Sequence, residues 1–384
     1  MAPTSPDRLA LDHAATTTLR PQARAAMLDA WDRGLGNASG THASARAAKN
    51  LLEEARERAA VVVGAARPLD VVFTAGGTES DNLAVIGAAR AAGSGSVVVS
   101  SIEHKAVLEA ARHLGPDHDL VEAAADANGV VTADAVAAVL PPDAVVVSVM
   151  AANNEVGTVQ PIHEIAAAVR AADPGVAVHT DAVQAFVADP LDVSDLGVDL
   201  LSLSGHKFGG PQGVGLLVAS PGIALEPVLR GGGQEAGRRP GTANVAGVVG
   251  MVAAMEATEA DRGRFGRVAG AERDGFESTL ARRVPTAKVT GQGAPRLPHI
   301  SHVRFPGVRA ETLLIHLDRR GIDASAGSAC QSGAVEPSHV LVALGMPEDA
   351  AAECVRFSFG WDTEPGTGTR AAVIVADVVD EVTP

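Results

Sequence analysis

The chain has 384 residues, with 31 Lys plus Arg against 46 Asp plus Glu, a net charge of −15. That balance argues against nucleic acid or an anionic membrane as the main partner, because phosphate backbones need a basic stripe. The apolar fraction of 46% fits a folded globular chain, and at roughly 100–200 residues per domain the length suggests two or three units. No apolar run approaches the ~20 residues of a membrane helix. Met1–Leu9 lacks the basic-then-apolar pattern of a secretory signal. The two cysteines, Cys330 and Cys354, are too far apart in sequence to suggest a disulfide framework or a metal cluster. The expectation is a cytoplasmic enzyme in a reducing compartment.

Alanine-rich amphipathic stretches alternate with short Val-rich runs. Residues 51–63 read as a helix and 71–73 as a strand, then 80–92 as a helix and 96–101 as a strand. A buried strand is expected at 144–150, a helix at 162–172 and a strand at 176–180, with 200–204 and 214–219 continuing the pattern. This alternation predicts an α/β fold, with a mainly parallel sheet covered on both faces and ligands beyond the carboxyl ends of its strands. Gly231–Gly233 and the stretch to Gly241 break the pattern. A helix-like 245–259 and an Arg-rich 262–283 follow. The remainder, to Val379, has fewer such signals and reads as a smaller unit.

The chain has only four lysines: Lys49, Lys105, Lys207 and Lys288. Arginine keeps its proton and forms no stable imine, so lysine chemistry has few candidates. Lys49 has Glu53 four residues on and reads as a solvated helix face. Lys288 sits in a polar connection, and Lys105 follows His104 just past a strand. Lys207 lies in Ser204-Gly205-His206-Lys207-Phe208-Gly209-Gly210, directly after a buried strand. The small residues around it allow close approach of a ligand, although a loop lysine would look the same.

Asp181 ends a strand ahead of that lysine. A carboxylate there can hold the proton of a pyridine nitrogen, while an ordinary helix cap is the alternative. Ala75-Gly76-Gly77-Thr78-Glu79-Ser80 follows a strand and opens a helix, which suits a phosphate but is also a plain helix start. Together the three supply a phosphate site, a ring-nitrogen partner and an imine lysine, the needs of pyridoxal 5'-phosphate. Cys354 lies in an apolar strand-like run and reads as a buried small hydrophobe. Cys330 lies in a small, polar, glycine-bearing run and reads as a functional thiol. Arg356 could be a structural ion pair or could grip a carboxylate. His104 could be a core histidine or a catalytic one.

These residues, in this order, resemble the class V, fold-type I pyridoxal-phosphate enzymes, and within them the cysteine desulfurases of the NifS/IscS type. The stretches that carry the resemblance are 11–17, 74–82, 102–105, 153–157, 181–184, 204–207, 231–235, 325–330, 336–341 and 356–358. It implies a large cofactor-binding domain at 15–257 and a smaller α+β domain at 258–384 with residues 1–14, carrying the Cys330 loop. It implies that Lys207 holds the cofactor as an imine and takes the α-proton. Asp181 would pair with the ring nitrogen, Gln184 would reach the ring hydroxyl and His104 would stack on the ring and move protons. Gly77, Thr78, Ser204 and His206 would bind the phosphate. Thr242 would reach the phosphate of the other subunit of a homodimer. Asn154 and Arg356 would fix the carboxylate of L-cysteine. Cys330 would take its sulfur as a persulfide, release L-alanine and pass sulfur to an acceptor protein for iron–sulfur cluster assembly or thiolation. Pro240 stands where the family usually has serine, and Gln331 follows the cysteine in place of threonine or serine.

Alternatives on the same scaffold are a cysteine-conjugate β-lyase, a selenocysteine lyase or an aminotransferase, none of which needs a persulfide nucleophile at Cys330. A sulfur-relay subunit without turnover would not need the Lys207, Asp181 and His104 set. A nicotinamide dehydrogenase would want a Gly-x-Gly-x-x-Gly in the first strand–helix unit, and there is none.

Overall fold

The computed structural model describes residues 8–327 and 337–383, so Cys330 lies outside the described residues. In chain order the strands are β1 (Leu9–Ala10), β2 (Val71–Thr74), β3 (Ser96–Ser100), β4 (Leu120–Ala123), β5 (Ala144–Ser148), β6 (Ala177–Asp181), β7 (Leu200–Ser204), β8 (Gly215–Ala219), β9 (Lys288–Val289), β10 (Ile300–Arg304), β11 (Ile322–Asp323) and β12 (Cys354–Ser358). The main sheet has seven strands in the order β2-β8-β7-β6-β5-β3-β4. Its central strands are buried on both faces, which explains their near-continuous Val and Leu runs.

The sheet is parallel from β7 through β4, as expected, but β8 runs antiparallel to both neighbours. The physical reason is the short link between β7 and β8, which holds no crossover helix and so returns the chain in the opposite direction. Because β2 and β7 are each antiparallel to β8, they point the same way. The carboxyl ends of β2, β6 and β7 therefore share one edge, and the β7–β8 link that carries Lys207 turns there.

The helix-like 245–259 and the Arg-rich 262–283 form one continuous helix, Val245–Arg283. Arg262 pairs with Glu259 at 2.5 Å and Arg264 with Asp261 at 3.3 Å, so the Arg-rich stretch is a charge-laced helix. Its first half meets the helices Pro21–Asp32, where Met27 touches Gly250, and Ala43–Val62, through Arg58 and Glu256. Its second half meets the helix Thr367–Val382. There the Glu272 carboxylate accepts from the Gly366 and Gly368 amides at 2.8 and 2.7 Å. The helix spans both sides of the expected 257/258 division.

A three-stranded antiparallel sheet, β12-β10-β9, forms the centre of the smaller part. The N-terminal β1 pairs in parallel with β11. That pairing carries residues 11–17 across to the edge of the main sheet. Among the described residues, no helix is long and apolar enough to cross a membrane.

Candidate active site

A cavity of about 920 Å³ opens at the shared strand edge. Its walls include Gly77, Thr78, His104, Asn154, Asp181, Gln184, Ser204, His206, Lys207 and Arg356. All the expected site residues are brought together there except two. Thr242 lies in a neighbouring cavity with Lys49, Arg56 and Glu235, and Cys330 is outside the described residues.

Lys207 reaches in from the β7–β8 link. Its Nζ donates to the carbonyls of Ala14 at 2.7 Å and Ala15 at 2.9 Å. Burial, and then the charge of Arg356, push its amine down to about 8, against the opposing pull of Asp181 and Asp12. A lysine so placed supplies a free amine close to neutral pH.

Asp181 ends β6, and its Oδ1 accepts from the Val183 amide at 2.9 Å. Burial raises its carboxyl, while His104, that amide and Lys207 favour the ionised form. His104 caps the helix Lys105–Arg112, with Nδ1 accepting from the Ala106 amide at 3.1 Å. Burial pushes its imidazole down against the opposing pull of Asp181, and with Nδ1 accepting, the neutral ring carries its proton on Nε2. Gln184 donates from Nε2 to the Ala14 carbonyl at 2.9 Å.

The helix Gly77–Ala92 begins at the end of β2, and its first backbone N–H groups have no acceptor within the helix. A Cβ at Gly77 would lie 3.1 Å from Val183 and 3.4 Å from Ser204 Cβ, so a larger residue would fill this cradle. His206 Nδ1 lies 3.1 Å from Thr16 Oγ1. Burial, and then Lys207, push the His206 imidazole down to about 4, which leaves it neutral. These groups form a small polar cup suited to an anion.

Arg356, in the middle of β12 and 3% exposed, closes the opposite side. Its Nη1 donates to the Asn154 carbonyl and its Nη2 to Asp12 Oδ1, each at 2.7 Å.

Several residues of the site went unnoticed in the sequence. Asp12, Ala14 and Thr16 contact Arg356, Lys207, Gln184 and His206 from the N-terminal segment. Only the Leu11-to-Thr17 stretch itself was a signal for them. Glu79 accepts from the Ala75 amide at 2.7 Å and from Arg239 Nε at 2.7 Å, tying the Gly76–Gly77 turn to the Gly-rich loop. That loop is pinned in turn by Glu235, whose carboxylate takes both terminal nitrogens of Arg56, at 2.6 and 2.8 Å, and the Phe73 amide of the edge strand β2 at 3.0 Å. Asp81 lines the cavity, and Glu103 and Glu155 are buried next to its lining residues His104 and Asn154 in sequence. No single-residue signal marks these acids.

The family model for class-V aminotransferases matches residues 9–365. The chain belongs to that family. Its cysteine desulfurase branch supplies the relatives. The chain is 41% identical to an IscS-like cysteine desulfurase of Mycobacterium tuberculosis, covering 91% of each chain. It is 39% identical to the cysteine desulfurase NifS of Azotobacter vinelandii, over 91% of this chain and 87% of that one. Among solved structures, a NifS-like protein superposes with a TM-score of 0.89 at 31% identity, covering 97% of this chain and 100% of that one. The expected fold-type I class is thus borne out. Class-V enzymes of this branch depend on pyridoxal 5'-phosphate. The residues here fit that group: a free-amine lysine, a carboxylate at the depth of the cavity and a polar cup at a helix start.

Proposed function

We propose that the protein is a cysteine desulfurase in which Lys207, Asp181 and Arg356 act on L-cysteine within one cavity. The observation that carries this reading is their convergence: an amine pushed down to about 8, a buried carboxylate and a guanidinium all line the same space. Pyridoxal phosphate, held by Lys207 with Asp181 at its ring nitrogen, supplies a sink for the electron pair left on the substrate α-carbon. Gln184 would reach the ring hydroxyl, and His104 would pack on the ring. Gly77, Thr78, Ser204 and His206 would hold the phosphate. Arg356 and Asn154 bind the substrate carboxylate, which fixes the α-carbon within reach of Lys207. The free Lys207 amine takes the α-proton, and His104, with its proton on Nε2, returns protons on the other side.

The Cys330 thiolate attacks the substrate sulfur. A sulfur–sulfur bond forms and the carbon–sulfur bond breaks. Its electron pair stays with the carbon, which takes up a proton, and L-alanine leaves. The sulfur remains on Cys330 as a persulfide for an acceptor protein. Two copies of the chain share sites, with Thr242 of each serving the phosphate of the other, which accounts for its place outside the main cavity. The larger unit at 15–257 carries the cofactor, and the smaller one at 258–384 with 1–14 carries Cys330. The setting is the cytoplasm. The test is alanine formation from L-cysteine alongside the mass of the Cys330 peptide. One added sulfur atom supports the reading. Alanine release without it, or keto-acid release in its place, overturns it.

A further inference from the structure

Arg356 is a buried guanidinium whose donors are only partly used. Nη1 donates to the Asn154 carbonyl and Nη2 to Asp12 Oδ1, and Nε is buried with no partner among the described residues. A carboxylate docks on a guanidinium through two parallel N–H groups, along either the Nη1/Nη2 edge or the Nε/Nη2 edge. Both edges contain Nη2, the nitrogen that Asp12 already holds. An incoming carboxylate must therefore share Arg356 with Asp12.

Asp12 is fixed where it stands. It bridges to Ser358 in the strand that carries Arg356, and the Ala14 amide donates to Ser358 Oγ at 2.8 Å. Upstream, β1 is anchored on β11. The segment thus brings a carboxylate to the guanidinium and two carbonyls to the Lys207 amine.

We propose that Asp12 is a positioning and specificity-determining residue, a built-in counter-carboxylate that aims Arg356 and weakens its grip on the α-carboxylate. The inference rests on the reading of Arg356 as the substrate-carboxylate site. Its chemistry follows from charge. A buried guanidinium without a counter-ion is costly, so Asp12 keeps Arg356 in place between turnovers. Substrate and product carry the same α-carboxylate, so a site that held it with full strength would retain alanine as firmly as it captured cysteine. Uniform binding of this kind does not raise turnover. Repulsion from Asp12 offsets part of that grip.

The test separates charge from geometry. Asp12→Asn keeps an acceptor oxygen for Nη2 and removes the charge, whereas Asp12→Ala removes both. The probe is β-mercaptopropionate, which has the carboxylate and thiol of the substrate but no amine, titrated into the holoenzyme by calorimetry. KM and kcat for L-cysteine and inhibition by L-alanine are measured in parallel. Asp12→Asn should bind β-mercaptopropionate and alanine about fivefold more tightly, the size expected for a partly exposed charge, and should lower KM. Asp12→Ala should bind both more weakly than wild type, because Arg356 loses its aim. If Asp12→Asn does not fold, Asp12→Ser serves as the neutral variant with an acceptor. Unchanged or weaker binding in the neutral variant overturns the counter-carboxylate role while leaving Arg356 as the carboxylate site. If Arg356→Gln binds the probe as well as wild type does, the reading of Arg356 fails, and the role of Asp12 fails with it.

Discussion

The Lys207 amine and the Ala14 carbonyl are hydrogen-bonded at 2.7 Å, so the lysine is held by the N-terminal segment and not by an acid. Among the described residues no carboxylate pairs with it at contact distance, and burial brings it down to about 8. Only the neutral amine reacts with an aldehyde. Capture of pyridoxal phosphate by the cofactor-stripped protein should therefore quicken as pH rises and level off above about 8. Below that it should fall roughly tenfold per pH unit, as the neutral fraction does. The measurement is the growth of visible absorbance after mixing at a series of pH values. A rate that is flat through this range would contradict the assignment, as would borohydride label on a lysine other than Lys207.

Asp81 and Asp181 form a buried pair of acids with different fates. Asp181 has His104, Lys207 and the Val183 amide to favour its ionised form. Asp81 is 1% exposed, with the Ser202 hydroxyl favouring its ionised form and, among the described residues, no hydrogen-bond partner on Oδ1. His179 nearby is pushed down to about 3 by burial and brings no charge. Burial, and then the charges of Asp181 and Glu103, hold the Asp81 carboxyl well above its usual range, so Asp81 keeps its proton. A carboxyl raised on folding contributes stability that is present below its unfolded value and is lost as pH rises through its folded value. Asp81→Asn should therefore flatten the decline of thermal stability on the alkaline side of the unfolded carboxyl range. Parallel unfolding curves for variant and wild type across that range would show that Asp81 is ionised in the fold. Asp181→Asn should keep the fold and lose most turnover, since an amide cannot hold a pyridinium proton.

Legibility in the sequence followed the reach of each interaction. Lys207 was legible because only four lysines exist and one follows a buried strand between small residues. Asp181 and the Gly76–Gly77 turn were legible because a strand end is a local pattern. The direction of β8 was not, since a five-residue apolar run reads the same in either orientation. Asp12 was not singled out because its partner, Arg356, lies 344 residues away and no spacing connects them. Asp81 and Glu103 look like surface acids on helices or turns until the chain is folded around them. The Arg-rich 262–283 stretch showed only its charge in the sequence, and the continuity with 245–259 came from charges that pair along one helix.

Glu155 packs against both ends of the segment that carries Cys330. Ser338 Oγ donates to its Oε2 at 2.5 Å, and a Cβ at Gly327, where φ is +87°, would lie 3.0 Å from the same oxygen. Ser338→Ala leaves that buried carboxyl oxygen short of a donor and should cost ~1–3 kcal/mol. Gly327→Ala adds left-handed strain of ~1–2 kcal/mol to the close contact. Denaturant midpoints check both. A Ser338→Ala protein as stable as wild type would mean that the Glu155 contact contributes nothing.

The proposed sharing of sites makes a prediction about mixtures. Thr242 lies in a cavity apart from the one Lys207 lines. If each Thr242 serves the partner's phosphate, Lys207→Ala and Thr242→Val are defects of different chains at one site. Unfolding and refolding the two inactive proteins together should restore activity to about one quarter of wild type, since half the dimers are mixed and each has one intact site. No recovery, with mixed dimers verified by tags, would place Thr242 outside the phosphate site.

The two cysteines give the last and most discriminating comparison. Cys354 opens β12 with no exposure, and its Sγ donates to the Ala350 carbonyl at 3.5 Å. Burial pushes its thiol up to about 12, so it stays protonated near neutral pH and cannot act as a nucleophile. Cys354→Ser should keep turnover and lose ~1–2 kcal/mol of stability, from placing a hydroxyl in an apolar site. Cys330→Ser should still take up pyridoxal phosphate and bind L-cysteine, because Lys207, Asp181 and Arg356 are untouched. It should form almost no alanine, because nothing remains to attack the substrate sulfur. The measurements are the visible spectrum on adding cysteine, alanine formation, and the mass of each cysteine-bearing peptide. A sulfur adduct on the Cys354 peptide would reverse the assignment. Full alanine production by Cys330→Ser would replace the desulfurase reading with a β-elimination in which no protein thiol takes part.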